Sequence, residues 1–495
     1  MSRSPKRSST LATVLLTVLI LLMIAATAFV IWLCIDMVDS GTGHTTPSTA
    51  PSGTIQLPTA ATAPQTEETQ PPTTLPEPEH VVATATVSAQ GDLLMHKPVF
   101  DTCRNSDGSY DFSSIFQYTK ELISSYDYAI ANLETTFGGD DYPYQGNPAF
   151  NCPDGLADTV VDTGYDMLLT ANNHSGDTMG PGIIRTVELV RSKGLATLGS
   201  QLNGDEPKYD IVEVNGIRIG MVCYTWAFSG NGSTFSLNGL TPVKDEGQMN
   251  YFTNSNPDKL YTEAGQIMEQ MKSDGAEVTM MFIHWGQEYQ LTENAAQNTM
   301  AQKLCDMGFD VIVGGHPHVV QPMELLESTV DPEHKTICIY SLGNAVSNQR
   351  LGNISAIGTA HTEDGIVFTV TFEKYSDGRV YVSGTGVLPT WVNMHSNNGS
   401  REYNILPLDK ERESEWTELF GLTGGQFSSA QKSYERTMAI VSEGLQSCQD
   451  YLAQAKADRE AYYEDLASHP EKYAAQATAP SAPESSEETA LGTAA

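Results

Sequence analysis

The feature that most limits the fold of this chain is an alternation that runs from Val81 to about Leu408. Apolar, β-branched runs of strand length each end in a cluster rich in glycine, asparagine, histidine or acidic residues. Helical patterns follow several of these clusters, for example over Gly182–Ser192 and Gln297–Met307. Because strands that alternate with helices are typical of α/β proteins, we expect an α/β domain over residues 81–408.

Six polar clusters end the apolar runs. They are SAQGDLLMH (Ser88–His96), AIANLETTF (Ala129–Phe137), LLTANNHSGD (Leu168–Asp177), MMFIHWGQEY (Met280–Tyr289), VIVGGHPHVVQ (Val311–Gln321) and IYSLGNAVSNQ (Ile339–Gln349). Sites in α/β sheets form at the carboxyl ends of strands, so clusters that are distant in the chain can meet in space. We therefore expect these clusters to converge on one site.

The clusters together supply carboxylate, amide and imidazole groups but no thiolate. The candidate metal ligands are Asp92, Glu134, Asn173, His284, His316 and His318. Such a mixture suits Mn²⁺, Fe or Zn²⁺ better than Cu(I) or a structural Cys₄ zinc site. We expect one or two divalent ions, and the Glu134 carboxylate could bridge two. The two histidines of the H-P-H turn could bind one ion or two adjacent ones, and the preceding glycines let the backbone turn sharply beneath them.

The chain resembles a known family at these residues. The motifs GDLLMH, NLETTF, ANNHSGD, HWGQEY, GGHPHVVQ and YSLGN occur in this order within about Val82 to Leu408. The set is similar to that of the capsule synthesis CapA proteins, also called poly-γ-glutamate biosynthesis proteins, which look like relatives of the calcineurin-like metallophosphoesterases. The resemblance implies a four-layer αββα sandwich with a metal site at its rim. It also implies an extracellular protein that serves an anionic envelope polymer such as poly-γ-glutamate.

The resemblance also implies a role for each matching residue. Asp92 would match the phosphoesterase aspartate on the first strand, Glu134 the bridging carboxylate and Asn173 the amide ligand. His174 would be the neighbouring imidazole that meets the substrate. The three remaining imidazoles would complete the metal shell: His284, His316 and His318.

The chain departs from the phosphoesterase pattern at two positions. Metallophosphoesterases usually carry D-x-H on the first strand, whereas Asp92 is followed by Leu93 and Leu94, and the nearest imidazole is His96. Glu134 stands in place of the usual aspartate, and its longer side chain would shift the ion or its bridge. Two hypotheses stay open: a metal-dependent hydrolase or transferase, and a non-catalytic assembly subunit of a polymer synthesis or export complex that keeps the metal site.

The catalytic candidates follow from the chemistry of such a metal site. A metal ion lowers the pKa of a bound water and polarises a substrate oxygen. His174 could then protonate a leaving group, and Asp177 could orient it through a hydrogen bond. Glu288 is a second acid–base candidate, for which a surface or supporting role fits equally well. The same chemistry would cleave a phosphoester or a γ-glutamyl amide, or transfer a chain to another nucleophile.

An uncharged apolar run, Leu11–Ile35, lies between Arg7 and Asp36 and is long enough to cross the roughly 30 Å hydrocarbon core as one helix. Basic residues precede the run and acidic residues follow it, so residues 1–10 should be cytoplasmic and the remainder extracellular. A cleaved signal peptide is the competing interpretation, but the run is long for an h-region and no A-x-A site closes it cleanly. We expect a single-pass protein of the cell membrane.

The segments on either side of the domain differ from it in composition. Residues 41–79 are rich in threonine and proline and predict a disordered linker, and residues 474–495 predict a disordered tail. Between domain and tail, apolar residues at spacings of three and four predict an amphipathic helix over residues 428–467. That helix could pack on its own domain or form a coiled coil with a partner, such as a subunit of a capsule-synthesis complex.

Net charge and cysteine content limit the possible partners and disulfide bonds. Acidic residues outnumber basic ones by 61 to 27, which gives a net charge of −34 and argues against nucleic acid as a partner. Cys223 and Cys338 lie in strand-like runs and predict buried thiols, whereas Cys103 and Cys152 form the one pair for which we consider a disulfide.

Overall fold

The computed structural model describes residues 79–240, 242–353, 357–397 and 399–469. The predicted cytoplasmic N-terminus, transmembrane helix and C-terminal tail lie outside these residues, as does the predicted linker up to residue 78. Within the described ranges, the helices are too short or too polar to span a bilayer.

The secondary-structure elements follow one another in three groups. The first group is β1 (Val81–Leu93), α1 (Lys97–Phe100), α2 (Ser113–Phe116), α3 (Lys120–Ile123), β2 (Tyr128–Asn132), α4 (Gly155–Thr163), β3 (Met167–Leu169), α5 (Met179–Ser192), β4 (Ala196–Leu198), β5 (Tyr209–Val214) and β6 (Ile217–Ala227). The second is β7 (Ser229–Gly230), β8 (Thr234–Ser236), β9 (Val243–Lys244), β10 (Tyr251–Thr253), α6 (Asp258–Ser273), β11 (Val278–His284), α7 (Ala295–Asp306), β12 (Val311–Gly315), β13 (Met323–Glu327), β14 (Lys335–Ile339) and β15 (Asn344–Val346). The third is β16 (Asp364–Tyr375), β17 (Val380–Asn397), β18 (Ser400–Pro407), α8 (Trp416–Leu419) and α9 (Gly424–Ser468).

The strands form two large sheets and one small sheet. The eight-stranded sheet has the order β18-β17-β16-β1-β2-β3-β4, with β15 also paired to β1. The seven-stranded sheet has the order β10-β6-β11-β12-β14-β13, with β5 also paired to β6. Strands β1 to β4 run parallel to one another, as do β6, β11, β12 and β14. The predicted mixed α/β class is therefore confirmed.

The burial of strand β11 shows how the core is divided. All seven of its residues are buried. Met280 and Phe282 belong to an apolar cluster that contains residues of both large sheets. The intervening Met281 and Ile283 belong to another cluster, which includes residues of helices α6 and α7. Since successive side chains of a strand point to opposite faces, this sheet is covered by apolar side chains on both faces.

The long helix α9 covers the segment for which an amphipathic helix was predicted. Its N-terminus is capped by Thr423, which forms a capping box with Gln426. Buried apolar residues of the helix, including Val441 and Leu445, join the cluster shared by the two large sheets. The helix packs against both β17 and β13, which belong to different sheets. It thus docks on its own domain, the first of the two packing modes considered above.

The disulfide considered between Cys103 and Cys152 is not formed. Both residues are buried free thiols in one apolar cluster with helices α1 to α4. They pack there as small apolar side chains, and burial raises the pKa of the Cys103 thiol to about 12. Cys223 and Cys338 are buried thiols as predicted.

Candidate metal centre

The candidate ligands come from the carboxyl ends of parallel strands in both large sheets. Asp92 lies at the end of β1, and Glu134 follows β2 by two residues. Asn173 comes from the loop after β3. In the other sheet, His284 is the last residue of β11, and the H-P-H turn follows β12 directly. The parallel direction of the strands brings these ends together, as the sequence predicted.

Glu134 lies at the middle of this group. Its carboxylate is fully buried, and neither oxygen accepts a hydrogen bond from the residues that the structure describes. Burial, followed by the charge of Asp92, raises the pKa of Glu134 well above its usual range. A buried carboxylate without a donor is costly. A cation between its oxygens and the neighbouring imidazoles would remove that cost.

One ring nitrogen of His284 lies close to two side-chain oxygens. Its Nε2 lies 2.9 Å from Oδ1 of Asn173 and 3.5 Å from Oε1 of Glu134. Burial, then the nearby His318, lowers the pKa of His284 well below its usual range. A neutral imidazole is the form that binds a metal ion.

The backbone of the H-P-H turn has an unusual conformation at both histidines. His316 and His318 have φ angles of 96° and 56°, in the left-handed region that non-glycine residues rarely adopt. Gly314 and Gly315 are not in that region, so the expectation that the glycines make the turn is wrong. Gly314 serves close packing instead, because a Cβ there would lie 2.0 Å from the carbonyl oxygen of Tyr340. The strain is carried by the histidines themselves.

His318 connects two carboxylates. Its Nδ1 lies 3.0 Å from Oδ2 of Asp92, and its Nε2 lies 3.8 Å from Oε1 of Glu134. Burial by itself would lower the pKa of His318. The hydrogen bond to Asp92 and the negative charge of Asp92 outweigh burial and raise the pKa above its usual value. Oδ1 of Asp92 in turn accepts a hydrogen bond from Nδ2 of Asn132 at 2.7 Å.

These side chains form two ligand groups that share one residue. Glu134, His284 and His316 form the first group, and Asp92, Glu134 and His318 form the second. Within each group, the possible ligand atoms lie within 4.8 Å of one another, and all five residues are buried. The Nδ1 atom of His316 is also buried without a partner among the described residues. The donor set and its orphaned atoms fit a divalent cation, so these buried groups could bind a metal ion.

His174 stands beside these groups without belonging to either. Its Nδ1 lies 2.7 Å from Oδ2 of Asp177, and its side chain is 12% exposed. Because Oδ2 also accepts the backbone N–H of Phe150, the carboxylate acts as an acceptor and Nδ1 of His174 carries the proton. The predicted pairing of His174 with Asp177 is present. The third catalytic candidate, Glu288, is exposed and belongs to neither ligand group.

Three residues of the site were missed by the sequence analysis, and the surroundings of a fourth, His96, were not foreseen, because these contacts cross the fold. Asn132 donates to Asp92, and Asn238, from the small sheet region, donates to Asp177. The Phe150 ring lies between two imidazoles, with centroids 5.1 Å from His96 and 4.5 Å from His174. Burial, then the nearby His318, lowers the pKa of His96 to about 3. His96 was noted only as the imidazole nearest to Asp92.

Comparison with known proteins identifies the family of the chain. A family model described as "Bacterial capsule synthesis protein PGA_cap" matches residues 86–349, which is more than half of the 495 residues. The chain belongs to the bacterial capsule synthesis protein family. The family match spans both ligand groups and the pair formed by His174 and Asp177.

Two curated relatives agree with this assignment to the capsule synthesis family. The chain is 27% identical over 333 residues to "Capsule biosynthesis protein CapA" of Bacillus anthracis, covering 66% of this chain and 71% of the relative. It is 27% identical over 299 residues to "PGA biosynthesis protein CapA" of Bacillus subtilis (strain 168), covering 59% of this chain and 69% of the relative. The predicted resemblance to the CapA family is confirmed.

Proposed function

We propose that this capsule synthesis family protein is a metal-dependent hydrolase or transferase that acts on an anionic envelope polymer such as poly-γ-glutamate. The observation that carries the proposal is the shared, fully buried Glu134 carboxylate, with both oxygens free for a cation and imidazoles on either side. The names of the two relatives, which refer to capsule and PGA biosynthesis, supply the class of polymer.

The roles of the residues follow from their contacts. One or two divalent ions, of Mn, Fe or Zn type, would supply Lewis acidity and lower the pKa of a water molecule. Glu134 would bind both ions, while His284 and His316 complete one group and Asp92 and His318 the other. Asn173 would add an amide oxygen next to His284.

His174 is proposed as the proton donor to the leaving group. Asp177 accepts from Nδ1 of His174 and fixes the orientation of its ring, so Nε2 is the atom that exchanges a proton with the substrate. The backbone N–H of Phe150 and the amide of Asn238 hold Asp177 in turn. This network places a proton carrier beside the ligand groups without using it as a ligand.

A second candidate function, that of a non-catalytic assembly subunit, is favoured by the first strand. The position two residues after Asp92, where metallophosphoesterases usually have a histidine, is occupied by Leu94. Leu94 is 1% exposed and supplies no ligand atom. A protein with this shell could hold an ion for assembly with subunits of a capsule-synthesis complex rather than for catalysis.

Architecture and location complete the proposal. The apolar cluster shared by both large sheets, together with the helices on their outer faces, supports the four-layer αββα sandwich.

We also propose that Leu11–Ile35 anchors the chain in the cell membrane with its domain outside. A reporter fused after Ala495 should then be extracytoplasmic and membrane-associated. Recovery of the reporter mainly from the soluble medium would mean that the run is a signal peptide.

Activity assays on the metal-loaded, full-length chain test the catalytic proposal. We expect hydrolysis of bis(p-nitrophenyl) phosphate or of a γ-glutamyl oligomer, loss of that activity on chelation, and its return when metal is added back. A chain that binds metal but cleaves neither compound would favour the assembly-subunit function.

A further inference from the structure

His96 is a nearly buried imidazole that is used neither by the ligand groups nor by the proposed proton donor. It follows Asp92 closely in the chain, just beyond the end of β1, and 7% of the residue is exposed. The Phe150 ring packs against both His96 and His174, with centroids 5.1 Å and 4.5 Å away. His96 therefore stands at the edge of the candidate site, one ring away from the proposed proton donor.

One short segment of the chain holds both His96 and the ligand His318. Strands β1 and β15 pair with Asp92 opposite Asn344. Oδ1 of Asn344 lies 3.2 Å from Nδ1 of His318. Farther along the same segment, the backbone N–H of Asn348 donates to Nδ1 of His96 over 3.3 Å. This segment therefore positions His96 beside the second ligand group, close enough to respond to the charge of His318.

The hydrogen bonds of His96 indicate which of its nitrogens carries the proton. Burial, then the nearby His318, lowers its pKa to about 3, so the ring is neutral at physiological pH and has one N–H. Nδ1 lies 3.3 Å from the backbone nitrogen of Asn348 and 3.3 Å from the carbonyl oxygen of Leu94. The Leu94 oxygen already accepts the backbone N–H of His96, whereas the Asn348 N–H has no other acceptor among the described residues. Nδ1 is therefore the acceptor, and Nε2 carries the proton.

The Nε2–H group of His96 is available to a ligand. Within the described part of the chain, Nε2 makes no hydrogen bond, and it is not one of the enclosed atoms that lack a partner, so solvent reaches it. A metal ligand would need a lone pair on Nε2 and the proton on Nδ1, where the proton would meet the N–H of Asn348. In agreement, His96 belongs to neither ligand group. The free group is a hydrogen-bond donor.

We propose that Nε2–H of His96 donates a hydrogen bond to a negatively charged oxygen of the substrate at the ligand groups. The inference rests on the proposed function and adds a substrate-binding residue to it. In a phosphoester this atom is a phosphoryl oxygen. In a γ-glutamyl amide it is the carbonyl oxygen, which becomes negative when water adds to the carbonyl carbon. A fixed neutral donor stabilises such a charge without changing its own protonation.

Two substitutions of His96 separate the outward donor from the inner acceptor. The Nε2 amide of glutamine takes the place of the histidine Nε2, so His96→Gln keeps the outward donor and loses the acceptor for the Asn348 N–H. The Oδ1 atom of asparagine takes the place of the histidine Nδ1, so His96→Asn keeps that acceptor and loses the donor. The probe is inorganic phosphate, titrated by calorimetry into the zinc-loaded full-length chain.

We expect His96→Asn to bind phosphate roughly 10–100-fold more weakly than the wild type, the usual effect of removing a hydrogen bond to a charged group. His96→Gln should stay close to the wild-type affinity, and all three proteins should hold the same amount of zinc. Equal phosphate affinity of the two variants, or the reverse order, would overturn the inference. Loss of zinc from both variants would also overturn it in favour of a ligand role, as would the absence of phosphate binding by the wild type.

A measurement on the wild type keeps the inference testable if one variant fails to fold. Long-range ¹H–¹⁵N correlation spectra of the zinc-loaded chain distinguish protonated from unprotonated ring nitrogens. The His96 signals are those missing from the spectrum of either variant. We expect a protonated Nε2 and an unprotonated Nδ1. The opposite tautomer would contradict the inference.

Hydrolysis of bis(p-nitrophenyl) phosphate by the same samples separates this inference from the proposed function. His96→Asn should lower kcat/KM, and His96→Gln should retain most of it, because the donor contacts the oxygen that carries the charge. Hydrolysis by His96→Asn at the wild-type rate would remove this inference alone. Phosphate binding that depends on His96, without hydrolysis of any test compound, would remove the catalytic proposal and leave His96 as an anion-binding residue of the metal centre.

Discussion

The Nδ1 atom of His318 lies 3.0 Å from Oδ2 of Asp92, within a site where both side chains are buried. Oδ1 of Asn344 lies 3.2 Å from the same nitrogen, and the Asn344 amide nitrogen donates to the backbone carbonyl oxygens of His318 and Thr362. Nδ1 of His318 therefore has two acceptors and carries the proton. Nε2 lies 3.8 Å from Oε1 of Glu134 and is the ring nitrogen that would bind a metal ion in place of a proton.

Asp92→Asn should lower metal affinity by roughly 10–100-fold, the usual effect of losing a carboxylate that supports or completes a metal shell. The substitution keeps the shape of the side chain but removes the charge beside His318. Competition with a fluorescent chelator measures the affinity. Asp177→Asn is the matched control, since Asp177 contacts His174 and no residue of the ligand groups. The metal affinity of Asp177→Asn should equal that of the wild type. Unchanged affinity in Asp92→Asn would count against its place in the shell.

His174→Ala should keep the metal while turnover falls by roughly 10²–10⁴-fold, the usual contribution of general acid–base catalysis. The physical reason is that His174 is hydrogen-bonded to Asp177 and belongs to neither ligand group. Metal content and phosphodiester turnover would be measured on the same sample. Loss of metal from His174→Ala would show that the residue is a ligand and not a proton carrier.

Arg436→Met should destabilise the domain by roughly 3–5 kcal/mol at pH 8, because it leaves the Asp364 carboxylate buried without its cation. In the wild type, Nη2 of Arg436 lies 2.7 Å from Oδ1 of Asp364, and the Asp364 side chain is 2% exposed. The free energy of unfolding would be obtained from urea titrations. Arg412→Met, at an exposed ion pair with Glu415, should change it by less than about 0.5 kcal/mol.

The effect of Arg436→Met should also depend on pH. Burial raises the pKa of Asp364 from 3.8 to about 6, although Arg436 opposes this shift. The native state therefore holds this proton more tightly than the unfolded state, so the contribution of Asp364 to stability is greatest below pH 4 and is lost as the pH rises through about 6. Without Arg436 the carboxyl can be neutral at low pH, so the difference between variant and wild type should shrink from pH 8 to pH 5. A difference that grows on acidification would contradict this account.

Gly444→Ala should destabilise the docking of helix α9. A Cβ at Gly444 would lie 1.7 Å from the backbone carbonyl oxygen of Met323 in β13, so helix or strand must move. Overpacking of this kind costs roughly 1–3 kcal/mol. Gly425→Ala is the control on the same helix, where nothing lies within 4 Å of the added Cβ, and it should be neutral or slightly stabilising. Equal thermal unfolding of the two variants would show that the helix does not pack as described.

The strand-end clusters could be predicted from the sequence because parallel strands impose a common direction. Asp92, Glu134 and His284 each stand at or just after the end of an apolar run, and that position alone brings them to one edge of the fold. The buried apolar face of α9 could also be predicted, since residues such as Val441 and Leu445 recur at helical spacing, and these residues are buried.

Other parts of the site have no signal in the local sequence. Asn238 reaches Asp177 across 61 positions of the chain, and Asn132 reaches Asp92 across 40. Nothing in the residue types indicated that the H-P-H turn would place its strain on His316 and His318 instead of on the preceding glycines. These features arise from tertiary contacts, which can hold a side chain or a backbone in a conformation that its local sequence does not favour.

Elemental analysis of Glu134→Gln tests the central claim most directly. Glutamine has nearly the same shape as glutamate but lacks the charge, and Glu134 is the one residue common to both ligand groups. We expect the wild type to bind divalent metal and Glu134→Gln to lose it from both groups, whereas His316→Ala and His318→Ala should each lose the ion of one group. Circular dichroism would confirm that all variants are folded. A folded Glu134→Gln protein with the metal content of the wild type would contradict the claim that Glu134 holds the metal centre together.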